Sequence, residues 1–160
     1  MTTDLKTRPD TFRVERSIQI AAAPETVLAL IEDFRNWTRW SPYEKMDADL
    51  KRSYSGASAG VGAVYGWEGK KTGVGRMAIT RADPSQVLID LDFVKPMKAN
   101  NKAVFTLEPQ GGGTKVTWAM TGANTFMSKV MGLFFSMDRL LGGQFENGLA
   151  DLKTAAEGRA

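Results

Sequence analysis

The sequence contains no cysteine and no histidine in 160 residues. The first absence removes disulfides, thiolate nucleophiles and Cys-ligated zinc. The second removes imidazole metal ligands and every Ser-His-Asp triad. Acid–base chemistry is left to Asp, Glu, Lys or Tyr, which tips the balance towards binding rather than hydrolysis. No stretch approaches the roughly 18 consecutive apolar residues that span a bilayer. Residues 1–10 are polar and mixed in charge, without the apolar core of a secretory signal. A cytoplasmic location is the expectation. Charge of one sign is also scarce, since 21 Lys and Arg against 18 Asp and Glu leave only +3. Lys51-Arg52, Lys70-Lys71, Lys95, Lys98 and Lys102 are interspersed with acids and apolar residues. A nucleic-acid footprint needs such charges gathered on one face, so no nucleic-acid partner is expected.

What is present is an ordinary globular composition, 42% hydrophobic and 24% charged, of a length that suits one domain. Residues 1–11 read as a flexible arm and 12–156 as the domain. Phe12, Val14, Arg16, Ile18 and Ile20 alternate with polar residues, which predicts a strand. Pro24 suits the first position of a short helix carrying Val27, Leu28, Leu30 and Ile31. A second short turn spaces Phe34, Trp37 and Trp40 by three before Ser41-Pro42 stops it. From about residue 46 the period becomes two, with candidate strands at 49–54, 63–68, 75–81, 86–94, 98–107 and 115–122. Glycine- and proline-rich turns separate them, and such short connections favour antiparallel pairing. A helix over about 124–156 closes the chain, its apolar stripe running through Val130, Phe134, Met137, Leu141, Phe145, Leu149, Leu152 and Ala156. Gly142-Gly143 predicts a bend in it.

This order defines an α+β fold. Seven strands make a sheet about 30 Å wide, and one helix is only about 10–12 Å across. The sheet must therefore curl around the helix, and a curled sheet gripping one rod encloses space. The most apolar phase of each strand points inward. It places Tyr65 and Trp67, Met77 and Ile79, and Ile89, Leu91 and Phe93 on the enclosed face. Phe105, Trp118 and Met120 follow in the last strands, and Met131, Phe134 and Phe135 come from the helix. These large, soft side chains suit either a packed core or the wall of an apolar ligand pocket. Trp37 and Trp40 either gate the mouth or plug the end of the grip.

Few residues carry candidate chemistry. Asp138 falls inside the helix's apolar stripe, where a carboxylate must be paired, hydrogen-bonded or wetted by a cavity. It is a candidate ligand anchor or general base. Tyr65 is the candidate polar tip across the pocket, unless its hydroxyl is spent on backbone. No metal site or cofactor is expected. Gly73-Val74-Gly75-Arg76-Met77-Ala78 matches a dinucleotide pattern but opens a strand outside any βαβ unit. Asp90 and Asp92 alternate with apolar residues on the outer face and read as solvated.

Pro24-Glu25-Thr26-Val27, Trp37 and Trp40-Ser41-Pro42 resemble the START-like helix-grip superfamily, also called SRPBCC. The polyketide cyclase/dehydrase-like bacterial branch is suggested by Gly62 to Gly69, Gly73 to Met77 and Leu91 to Pro96. Gly113 to Trp118 and Phe145 to Leu149 extend the resemblance over roughly 12–156. It implies a seven-stranded curved antiparallel sheet wrapped around a long C-terminal helix, with two short helices between strands one and two. It also implies a hydrophobic cavity for a lipid, sterol, polyketide or aromatic metabolite. Some members of the branch cyclise or dehydrate aromatic polyketides, but no shared catalytic motif transfers. The expected partner is one small hydrophobic molecule bound by a carrier or sensor, in a monomer or weak homodimer. A cyclase/dehydratase using Asp138 or Tyr65 is the second reading, and a module whose interior is filled by its own side chains is the third.

Overall fold

The computed structural model describes residues 11–95, 98–123 and 133–158, with side chains at 12–95, 98–122 and 141–158. Strand β1 (Thr11–Ile20) leads into helix α1 (Pro24–Glu32), which starts on Pro24 as its missing N–H allows. Two 3-10 turns follow, Phe34–Arg39 and Pro42–Lys45. The three-residue spacing of Phe34, Trp37 and Trp40 is the period of that tighter helix. Asp33 caps the first turn, its Oδ1 accepting from the Arg35 N–H at 3.0 Å. Pro42 begins a turn rather than merely ending one. Ser41 caps that turn by accepting from the Tyr43 N–H.

Six strands then run in sequence: β2 (Lys51–Gly56), β3 (Ala63–Gly69), β4 (Gly73–Asp83), β5 (Gln86–Lys95), β6 (Ala99–Gln110) and β7 (Gly113–Ala123). With β1 they form one antiparallel sheet of seven strands in the order β1-β7-β6-β5-β4-β3-β2. The ladders outrun the apolar alternation because hydrogen bonding continues to the polar hairpin ends. β2 instead starts two residues later than its alternation predicts, since Asp47 folds the chain into a turn by accepting from the Asp49 N–H. Gly111 and Gly112, both at positive φ, close the β6–β7 hairpin, a conformation costly for any other residue. A register shift between Ile79 and Arg81 bends β4 against β5.

Helix α2 (Leu133–Ala156) runs without interruption across Gly142-Gly143, and the expected helical stretch 124–132 lies outside the described residues. Phe145, Leu149 and Leu152 are sealed beneath it at 0%, 1% and 0% exposure. Gly142 and Gly148 let it sit close: a side chain at the first would meet the Arg16 guanidinium, and at the second Pro42 and Trp118. Polar contacts fix it on β1, with Arg16 pairing Glu146 at 2.9 Å and Lys153 reaching the Gln19 carbonyl at 3.3 Å. The protein therefore has the helix-grip architecture, a curved sheet around a long C-terminal helix with short helices between its first two strands. α1 spans one end of the grip, touching β4 to β7 and α2.

Candidate functional site

The register lines up the inner face in rows. Tyr54, Tyr65, Met77, Leu91, Asn101, Gly122 and Phe12 lie side by side across the whole sheet. Ile79, Ile89, Ala103, Met120 and Val14 form the next row towards α1. Val87, Phe105, Trp118 and Arg16 form the one after it. Beyond the long row, away from α1, stand Trp67, Gly75 and Phe93.

The rows near α1 are closed. Phe105 and Trp118 stack at 5.0 Å, and Phe145 lies flat on Trp118 at 4.0 Å with only 8° between the planes. Trp37 and Trp40 meet this cluster edge-on, and their indole N–H groups donate to the Ile31 and Leu30 carbonyls at 2.8 and 2.9 Å. Both tryptophans are thus tied to α1 inside the core. Tyr65, Met77, Ile79, Ile89, Leu91, Phe105 and Met120 are buried too. The far end differs: Trp67 and Phe93 are only half-buried, in edge contact at 5.7 Å. The Trp67 ring lies over the Gly75 Cα, where a Cβ would collide with it. Met131, and the side chains of Phe134, Phe135 and Asp138, lie outside the described residues.

A polar chain with a buried carboxylate borders the face. The Tyr65 hydroxyl donates to Glu44 Oε2 at 2.6 Å, and Arg52 Nε donates to Glu44 Oε1 at 2.5 Å. A second Arg52 nitrogen reaches the Glu44 carbonyl at 3.2 Å. The Tyr65 hydroxyl thus rests on a carboxylate, not on backbone. Tyr54 packs on Tyr65 at 5.4 Å, and the Arg35 guanidinium lies over the Tyr54 ring at 4.6 Å. A shallow pocket of about 120 Å³ opens beside it, between Phe34, Arg35, Tyr54 and the β2–β3 loop. On the outer face, Asp90 and Asp92 are answered by the Asn100 amide and the Lys102 ammonium, as a solvated pair of acids should be.

Burial, and then the hydrogen bond to Glu44, raises the Tyr65 phenol well above its ordinary value. Burial alone does the same for Tyr43. In the unfolded chain both ionise near 10.0, so their contribution to stability is intact below that pH and declines above it. Each lowers the unfolding free energy by about 1.4 kcal/mol per pH unit in that range. Urea denaturation at pH 9, 10 and 11 should show this decline, with Tyr65→Phe falling less steeply than the parent. Equal slopes would mean that Tyr65 ionises freely in the folded protein.

Sequence reasoning passed over Glu44, Arg52 and Asn101. Glu44 sits in a polar string with no periodicity to betray its burial. Asn101 was legible, because it shares the inward phase of β6 with Ala103 and Phe105. Its amide lies over Gly122, which has no room for a side chain, and reaches Met120 Sδ at 3.7 Å.

A curved sheet gripping a helix, with an aromatic inner face and a polar chain along one border, is the helix-grip class of binding fold. The profile of the family described as polyketide cyclase/dehydrase and lipid transport matches residues 11–157, and the chain belongs to that family. Among solved structures, one similar fold is the di-domain aromatase/cyclase StfQ of the steffimycin biosynthetic pathway. It aligns with a TM-score of 0.75 and 12% identity over 96% of this chain and 54% of the other. A Thermobifida fusca protein aligns at 0.66 and 20% identity, covering 92% and 94% of the two chains. The Aha1 dimer of Colwellia psychrerythraea aligns at 0.61 and 18% identity, covering 92% and 97%. No curated protein matches the sequence. No helix among the described residues is long and apolar enough to cross a membrane.

Proposed function

We propose that the protein binds one small hydrophobic molecule, a lipid, polyketide or aromatic metabolite, against the inner face of the sheet and acts as its carrier or sensor. The observation that carries this reading is the contrast between the two ends of that face. The rows near α1 are sealed by stacked aromatics, whereas Trp67 and Phe93 remain half-buried at the other end. Adaptable Met77 and Met120 stand between them, as apolar binding walls favour. Membership of a family described by lipid transport as well as cyclisation supports the same reading.

A cyclase or dehydratase acting on a polyketide-like substrate is the second reading, supported by the fold shared with the StfQ aromatase/cyclase. Tyr65 weighs against its own part in it. Its proton is committed to Glu44, and its raised pKa keeps it from serving as a base near neutral pH. Asp138 is the candidate that remains for such chemistry.

The test is thermal unfolding and tryptophan fluorescence across fatty acids, sterols, flavonoids and aromatic polyketides. A ligand at a hundred times its dissociation constant adds about 2.7 kcal/mol, which raises Tm by roughly 5–10 °C in a domain of this size. A flat response from every class overturns the proposal. Turnover of a polyketide that is abolished by Asp138→Asn would select the second reading.

A further inference from the structure

Lysines that lie far apart in the sequence are gathered by the sheet at one of its ends. Antiparallel pairing brings the start of β2, the β3–β4 hairpin, the end of β5 and the start of β6 together, away from α1. Lys51, Glu68, Val74 and Lys95 lie side by side there across four strands. Lys70 and Lys71 follow on the hairpin, and Lys98 immediately precedes β6. Asp47 Oδ2 accepts from the Lys71 N–H at 2.8 Å, which holds the turn after Lys45 against the same hairpin. All six lysines are exposed, and among the described residues none of them makes an ion pair. Within 45–51, 68–74 and 94–98 only Asp47, Asp49 and Glu68 oppose them, which leaves an excess of three positive charges, as large as the net charge of the whole chain. At the opposite end the connections 57–62, 84–85 and 111–112 carry no charge at all. Apolar side chains share the basic rim. Met46 and Val94 are 37% and 45% exposed, and Trp67 and Phe93 are half-buried just inside them.

We infer that this rim docks the protein onto an anionic lipid bilayer. Six unpaired lysines call for a negatively charged partner, and each lysine held near an anionic leaflet strengthens binding about fivefold. The exposed apolar side chains decide which partner. A nucleic acid offers phosphates to the lysines but no apolar layer for Met46 and Val94 to enter. A bilayer interface offers both, since methionine and valine reach the acyl boundary while the lysine stems lie along it and their ammonium groups meet the phosphates. Docked in this way, the protein turns its uncharged loops to water and sets the half-buried Trp67 and Phe93 beside the lipid. Docking needs no ligand, so it can fail while the binding of a small hydrophobic molecule stands.

The experiment is co-sedimentation of the full chain with vesicles of phosphatidylcholine alone, or of phosphatidylcholine and phosphatidylglycerol in equal parts. The parent protein should bind the second and not the first. Lys70→Glu/Lys98→Glu should weaken that binding at least about 25-fold, two factors of about five. Arg81→Glu/Lys115→Glu makes the same change in charge beside the opposite hairpins and should weaken it less than about fivefold. Met46→Ser/Val94→Ser leaves the charge unchanged and should still weaken it about tenfold. Thermal unfolding checks that each variant keeps the parent's midpoint, as substitutions of exposed side chains should. Absence of binding to the phosphatidylglycerol vesicles overturns the inference. Equal losses in the two charge variants overturn it too, because net charge and not the rim would then govern binding. Duplex DNA bound as tightly as the vesicles, with no effect of Met46→Ser/Val94→Ser on either, assigns the rim to a polyanion and overturns the bilayer.

Discussion

Replacing Phe145 by alanine should cost about 3–5 kcal/mol of unfolding free energy, a large fraction of the roughly 5–15 kcal/mol that holds a domain folded. The ring is 0% exposed and lies flat on Trp118, which is itself stacked on Phe105. Its removal leaves a void bounded by rigid rings, and flat aromatic surfaces cannot collapse into a gap as flexible side chains can. Urea denaturation followed by tryptophan fluorescence measures the loss. Phe145→Leu should recover part of it. A cost below about 1 kcal/mol would show that the closed end of the grip is not packed as described.

Glu44→Ala should cost about 2–3 kcal/mol, because it strands two donors at once. The Tyr65 hydroxyl loses its acceptor inside the core, and Arg52 loses both its ion pair and its orientation. The Arg52 side chain is 32% exposed and regains water, which holds the loss below that of a fully buried pair. A double-mutant cycle separates the contributions. Tyr65→Phe alone should destabilise by about 1 kcal/mol, yet be neutral or stabilising in the Glu44→Ala background. Additive costs would mean that the hydroxyl and the carboxylate act independently.

The strands were legible because burial on one face imposes a period of two. The inward residues assigned by alternation on β4, Met77 and Ile79, and the first two on β5, Ile89 and Leu91, are buried. Phe93 follows the same phase but is only half-buried, so periodicity placed its direction and not its exposure. The glycine turns and Pro24 were legible because their backbone demands are local. The Glu44–Tyr65–Arg52 chain was not, since Glu44 is 21 residues from Tyr65 and 8 from Arg52 in the sequence. Nothing in a polar tripeptide says that its carboxylate is to be buried.

Trp37 and Trp40 show the division most directly. Their spacing announced a tight turn with an aromatic face, but a gate and a plug use the same residues at the same spacing. The choice was made by hydrogen bonds to the carbonyls ending α1 and by the rings of Phe105 and Trp118 beyond them. Local chain chemistry by itself determined the kind and order of the elements, the antiparallel pairing and the inward phase of each strand, because these depend on side-chain period and turn conformation. Which end of the grip closes, where a carboxylate is buried and where the scattered lysines gather were decided only by tertiary packing. Those outcomes depend on neighbours that the chain brings together from distant positions.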